Sequence, residues 1–202
     1  MNTNINYREI QVKAGEHAQA SGFLDGEINY FSLISGVNGE VAEFAEAFEK
    51  GKVAELQKYK DKVAMLDSYS EYGALKDHWF NDLMKDTQGD ELADIAIRLC
   101  TLAECLGVII QREHFKNQDQ VLNISLDERN VYMMINRLYE LVSHVQTPLV
   151  VASEYSGHFH HINISNCLYA VELISEYLGV SLEYHIVEKM RYNLGRPRLH
   201  GK

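Results

Sequence analysis

Apolar residues recur along this chain at helical intervals. Between Tyr30 and Lys50, Val37, Val41, Phe44, Ala45 and Phe48 fall on one face of a helix, and Gly51 supplies a stop. A second stripe, Leu92, Ile95, Leu99, Leu102 and Leu106, runs from a candidate cap at Thr87, with Asp90 three positions later, to Gly107. Ser125 and Glu128 form a capping box before Val131, Ile135, Leu138, Leu141 and Val142, which predicts a helix to about Val145. The stretch through Pro148 and Gly157 then reads as a loop. Further helices are expected over about Ile164 to Leu178, ending at Gly179, and over Leu182 to Asn193 with Ser181 as cap. A sparser pattern predicts a first helix over Tyr7 to Ala20. The expected fold is all-α, in one domain over 1–202.

Two departures from simple periodicity shape that expectation. Residues 52–86 are charged and aromatic and read as an insertion of one or two helices into an acidic half spanning 30–108. DELADIAIRLCTLAECLGV also resembles INISNCLYAVELISEYLGV when Leu106-Gly107 is set on Leu178-Gly179, and VNGEVAEF falls beside INRLYELV. Residues 126–193 would then be a duplicated, degenerate second half, with Leu138 and Leu141 opposite Glu40 and Glu43. The other reading is chance likeness between amphipathic helices.

Composition narrows the partners. The only prolines are Pro148 and Pro197, in keeping with a helical chain. A formal charge of -10 argues against a surface that neutralises duplex nucleic acid, while a small nucleotide carried with a divalent cation stays compatible. MNTNINYREIQVK lacks a basic then apolar leader pattern, and no window is apolar enough to span a membrane, so a soluble cytoplasmic protein is expected. Cys100, Cys105 and Cys167 lie in apolar helical patterns without CxxC spacing and read as reduced core residues. His158, His160 and His161 fall in the expected loop and read as solvated.

The candidate chemistry lies in the carboxylates. Glu40 and Glu43 are three apart on one expected helix, Glu91 and Asp94 three apart on another, so each pair projects from one face. Like charges so placed repel unless a cation lies between them. Solvated faces with intrahelical ion pairs are the alternative. Glu46 has Lys50 four residues on and Asp94 has Arg98, whereas Glu40, Glu43 and Glu91 have no base there. An all-oxygen set without Glu-x-x-His suits Mg²⁺, or Mn²⁺, better than iron. Walker A, dinucleotide-turn, nucleophile-elbow and HExxH motifs are absent from the sequence.

GVNGEVAEFAEA followed by DELADIAIRLCTLAECLG resembles the ExxE and ExxD helices of the MazG-like family of all-α nucleoside triphosphate pyrophosphohydrolases. The end of the chain, KMRYNLGRPRLHGK, is similar to the K-M-x-Y-N-x-x-R-P-x-x-H-G-K endings of phage-related members. The likeness covers 30–50, 88–108 and 181–202. The long separation of Glu43 from Glu91, and the helical segment 126–178 before the terminal motif, depart from compact members.

The resemblance implies a MazG-like, all-α NTP pyrophosphatase bundle in which Glu40, Glu43, Glu91 and Asp94 hold one or two Mg²⁺ ions against a triphosphate. It implies hydrolysis of the α-β phosphoanhydride of a (deoxy)nucleoside triphosphate, giving a monophosphate and pyrophosphate. Glu40 or Glu43 would take the proton of the attacking water. Lys189, Tyr192, Asn193 and Arg196 match the terminal motif, where Lys and Arg suit phosphate or base contacts and Tyr192 a stacked base. Asn38, just before the acidic motif, is a further candidate for a nucleotide contact. The basic tail, 194–202, reads otherwise as a helix end complementing its dipole. The family allows homodimers or larger homo-oligomers, although the degenerate half would replace the partner subunit within one chain. The competing reading is a non-catalytic nucleotide-sensing or helical interaction protein of the same lineage.

Overall fold

The computed structural model describes residues 5–66, 72–110, 130–150 and 156–196. They form eight helices and, among the described residues, no strand. In chain order these are α1 (Tyr7–Ala20), α2 (Tyr30–Glu49), α3 (Leu56–Ala64), α4 (Tyr72–Leu83), α5 (Gln88–Cys105), α6 (Val131–Val150), α7 (Ser156–Leu178) and α8 (Leu182–Leu194).

Local chemistry explains most boundaries. Asn6 and Asn29 start α1 and α2 by accepting from the backbone N–H of Glu9 and Ser32, and Thr87 starts α5 by accepting from Asp90 N. Gly51, Gly107 and Gly179 stop helices in the left-handed region, at φ of 62°, 65° and 69°. Ser181 stands at the start of α8, but its side chain makes no capping bond. The Ser125 and Glu128 capping box lies outside the described residues.

Four helices close a ring, with α2 against α5 and α6, and α7 against α5 and α6. Val37, Val41 and Phe44 of α2, Leu92, Ile95 and Leu99 of α5, Leu138 and Val142 of α6, and Leu168 and Val171 of α7 fill its interior. Helix α5 also packs on α1 and α8, so it is apolar nearly all round and buries even Gln88, Asp90 and Glu91. The expected insertion contains two helices, α3 and α4, which pack on each other over Tyr59, Phe80, Leu83 and Met84, with Tyr184 and Tyr192 of α8 against them.

The expected loop around Pro148 and Gly157 is a correction. Helix α6 runs through Pro148 to Val150, and α7 begins at Ser156, so the backbone of His158, His160 and His161 is helical. Proline has no N–H for the carbonyl four residues earlier, that of His144. Asn163 Nδ2 on α7 donates to that carbonyl instead, at 2.7 Å. A partner helix thus replaces the missing donor near the end of α6.

Candidate carboxylate centre

The turn into α5 builds one wall of the site. Thr87 donates to Met84 O at 2.6 Å, and Asp86, in the left-handed region at φ 57°, donates its N–H to Asp90 Oδ2 at 3.0 Å. Asp90, Glu91, Asp94 and Arg98 then follow along one side of α5. Helix α2, packed beside α5, presents Glu40 to them. Carboxylate oxygens of Glu40, Glu91 and Asp94 lie within 4.8 Å of one another, as do those of Asp86, Asp90 and Glu91. Glu91 belongs to both groupings.

Two cations pair with Glu40, Asp90 and Asp94. Lys189 of α8 lies buried, with Nζ 2.8 Å from Asp90 Oδ2 and 2.6 Å from Asp94 Oδ2. Arg98 Nε donates to Glu40 Oε1 at 2.5 Å, and its guanidinium occupies the space beside Gly36, where an added Cβ would come within 2.9 Å of Nη1. The intrahelical pair expected between Asp94 and Arg98 is therefore replaced by two interhelical pairs. Glu40, expected to lack a base, has one, because its partner comes from the neighbouring helix rather than from its own next turn.

Glu91 is different. It is 4% exposed, it makes no ion pair among the described residues, and its Oε2 is buried without a hydrogen bond. Burial first, then the charges of Asp90 and Asp94, push its carboxyl up to about 8. Burial, followed by Asp94, also raises Glu40 despite Arg98. Asp90 is raised by burial against the pull of Lys189, and its Oδ1 is likewise buried and unbonded. Burial alone would lower the Lys189 ammonium, but Asp94 and Asp90 together push it up. The five acids Glu40, Asp86, Asp90, Glu91 and Asp94 face three cations, Lys85, Lys189 and Arg98, so the ionised cluster keeps an excess of two negative charges.

Other expected residues lie apart from this point. Glu43 is exposed one turn beyond Glu40 and outside both carboxylate groupings, although its charge contributes to raising Glu40. Asn38 is half-buried and two residues from Glu40, which puts it roughly 200° round the helix. Tyr192 is already stacked on Phe80, with centroids 4.6 Å apart, and donates to Asn81 Oδ1 at 2.9 Å, so one ring face expected for a base is occupied. Arg196 lies over the Tyr192 ring at 5.8 Å. Asn193 bonds His17 Nε2 through its backbone carbonyl at 3.0 Å, and its side-chain Oδ1 is buried without a hydrogen bond.

Asp86, Asp90 and Arg98 are cluster members that the motifs alone do not single out. Asp90 precedes Asp94 by four residues and Arg98 follows it by four, so helical spacing carried a signal for both. In the sequence, Asp90 is absorbed into the cap at Thr87.

The chain matches no family model, no curated protein and no solved structure in comparison with known proteins.

Proposed function

We propose that this chain is a Mg²⁺-dependent nucleotide pyrophosphohydrolase, which cleaves the α-β phosphoanhydride of a (deoxy)nucleoside triphosphate into a monophosphate and pyrophosphate. One observation carries the reading: Glu91, buried and without a cation of its own, keeps an unbonded oxygen beside Glu40 and Asp94. An orphaned buried carboxylate is costly unless something binds it. An all-oxygen donor set fits a hard divalent cation, Mg²⁺ or Mn²⁺. Glu40, Glu91 and Asp94 would hold the ion, with Glu43 on the exposed rim. When bound, Mg²⁺ supplies positive charge that offsets the negative charge of the triphosphate oxygens during attack at the α-phosphorus.

The chain's own residues divide the remaining work. Arg98, half exposed beside Glu40, faces incoming phosphate and offers a planar fork of donors. Glu40, buried beside the ion site, is better placed than exposed Glu43 to accept the proton of the attacking water. The water oxygen bonds to the α-phosphorus, the bond from that phosphorus to the bridging oxygen breaks, and pyrophosphate leaves with the electron pair. The ring of α2, α5, α6 and α7 supports the degenerate-repeat reading, since α6 packs on α7 as α2 packs on α5. Leu138 and Leu141 are buried where the acids would stand, so that half contributes packing.

A second reading, a nucleotide-binding protein without turnover, is favoured by the internal pairing of three of the four acids with Lys189 and Arg98. Hydrolysis in isotopically labelled water separates the readings. Label in the monophosphate supports attack at the α-phosphorus; label in pyrophosphate, or no turnover with every canonical triphosphate, overturns it.

A further inference from the structure

Two carboxylate groupings that share Glu91 have the outline of a two-ion centre. In each, two of the three acids already have a cation. In the grouping of Asp86, Asp90 and Glu91, Asp86 already bonds Lys85 at 2.8 Å and Asp90 bonds Lys189. In the grouping of Glu40, Glu91 and Asp94, Glu40 bonds Arg98 and Asp94 bonds Lys189, while the donorless oxygen of Glu91 is common to both groupings and Asp90 Oδ1 is donorless as well. Lys189 bridges the two groupings, with one short contact to Asp90 and one to Asp94.

Building on the metal-centre reading above, we infer that Lys189 takes the place of a second metal ion, so that the carboxylate cluster binds one divalent cation per chain. Several observations carry this. The Lys189 ammonium is held between oxygens of Asp90 and Asp94, its side chain is only 6% exposed, and the Phe80 ring lies 5.9 Å from it. An ion bridging Asp90 and Asp94 would have to expel that charge from a buried position. A buried ammonium separated from its carboxylates is costly, so the pair resists exchange. Charge agrees: with Lys85, Lys189 and Arg98 in place the ionised five-acid cluster has two negative charges in excess, which one divalent ion offsets and two would overshoot. Lys189 is thus a positioning residue that orients Asp94 toward the single ion while leaving Glu91 to ligate it.

Mn²⁺, which suits the same oxygen ligands, is the probe. Calorimetric titration of the nucleotide-free chain should give one ion for wild type and two for Lys189→Met, with electron paramagnetic resonance showing isolated Mn²⁺ in the first and an exchange-coupled pair in the second. Lys189→Gln, which still hydrogen-bonds to both aspartates, should also bind two and guards against a misfolded Met variant; circular dichroism checks each fold. Two ions in wild type would overturn the inference, as would one ion in wild type and in every folded variant. Wild type that binds no Mn²⁺ would overturn the metal centre itself, an outcome distinct because nothing then titrates.

Discussion

Glu91 concentrates the electrostatic cost of the cluster. Its carboxyl is pushed up to about 8 from an ordinary 4.5, so between those values the folded chain holds a proton that the unfolded chain has lost. The consequent contribution to stability is present below about 4.5 and is lost as pH rises through about 8. Metal-free wild type should therefore lose melting temperature relative to Glu91→Gln as pH rises over this window, a comparison read by differential scanning calorimetry. A variant whose profile parallels wild type contradicts the shift. Gly89 offers a second residue-scale test. A Cβ there would sit 2.4 Å from His185 Cε1, and the ring is fixed in a buried site, so Gly89→Ala should destabilise by about 1 to 3 kcal/mol. Combined with His185→Ala, the losses should fall short of additive, because both changes act on one contact.

At the scale of elements, α3 and α4 dock on α8 through a polar knot. Tyr59 donates to Glu188 Oε2 at 2.7 Å, Lys76 bonds Glu188 Oε1 at 3.1 Å, and Arg191 joins Glu188 to Asp77. Burial would raise the Glu188 carboxyl, but these three donors together hold it below its usual value. Tyr59→Phe removes the bond to Glu188 and the longer one the hydroxyl accepts from Arg191 Nη2 at 3.4 Å, without leaving a cavity, and should cost about 1.5 to 3 kcal/mol in denaturant unfolding. Since α8 carries Lys189, loosening the insertion should also weaken the contact of Lys189 with Asp90 and Asp94.

The helices themselves were legible where stripe, cap and stop agreed, as from Thr87 to Gly107, or where stripe and stop did, as from Tyr30 to Gly51. The helical span around Pro148 was not, because the donor that satisfies His144 sits on another helix, at Asn163. The same reason hid half the site. Spacing within one helix shows Glu40, Glu91 and Asp94, but the pairing of Glu40 with Arg98 and the seating of Lys189 between two aspartates depend on packing of α2 and α8 against α5. Tyr192 shows the same dependence on packing: its stacking on Phe80, from another helix, is not readable from spacing.

For the whole molecule, a ring of four helices with acids in one half and buried leucines in the other places the carboxylate cluster found among the described residues beside α5. No helix among the described residues is long and apolar enough to cross a membrane. Cys100 and Cys167 are buried free thiols within the core, as their apolar setting suggested, whereas Cys105, expected there too, is only half-buried at the end of α5. An ion bound only by the folded chain must stabilise it, by about 2.7 kcal/mol at a hundred times its dissociation constant. Mg²⁺ should therefore raise the melting temperature of wild type and leave Glu91→Gln nearly unchanged. The most direct measurement is pyrophosphate release by the purified chain from each canonical ribo- and deoxyribonucleoside triphosphate, with Mg²⁺ or with EDTA, beside Glu91→Gln. Release that requires Mg²⁺ and falls at least a hundredfold in the variant, roughly the loss of a major electrostatic contributor, is the expected result. Release that survives EDTA, or that Glu91→Gln matches, would contradict a metal centre built on this carboxylate.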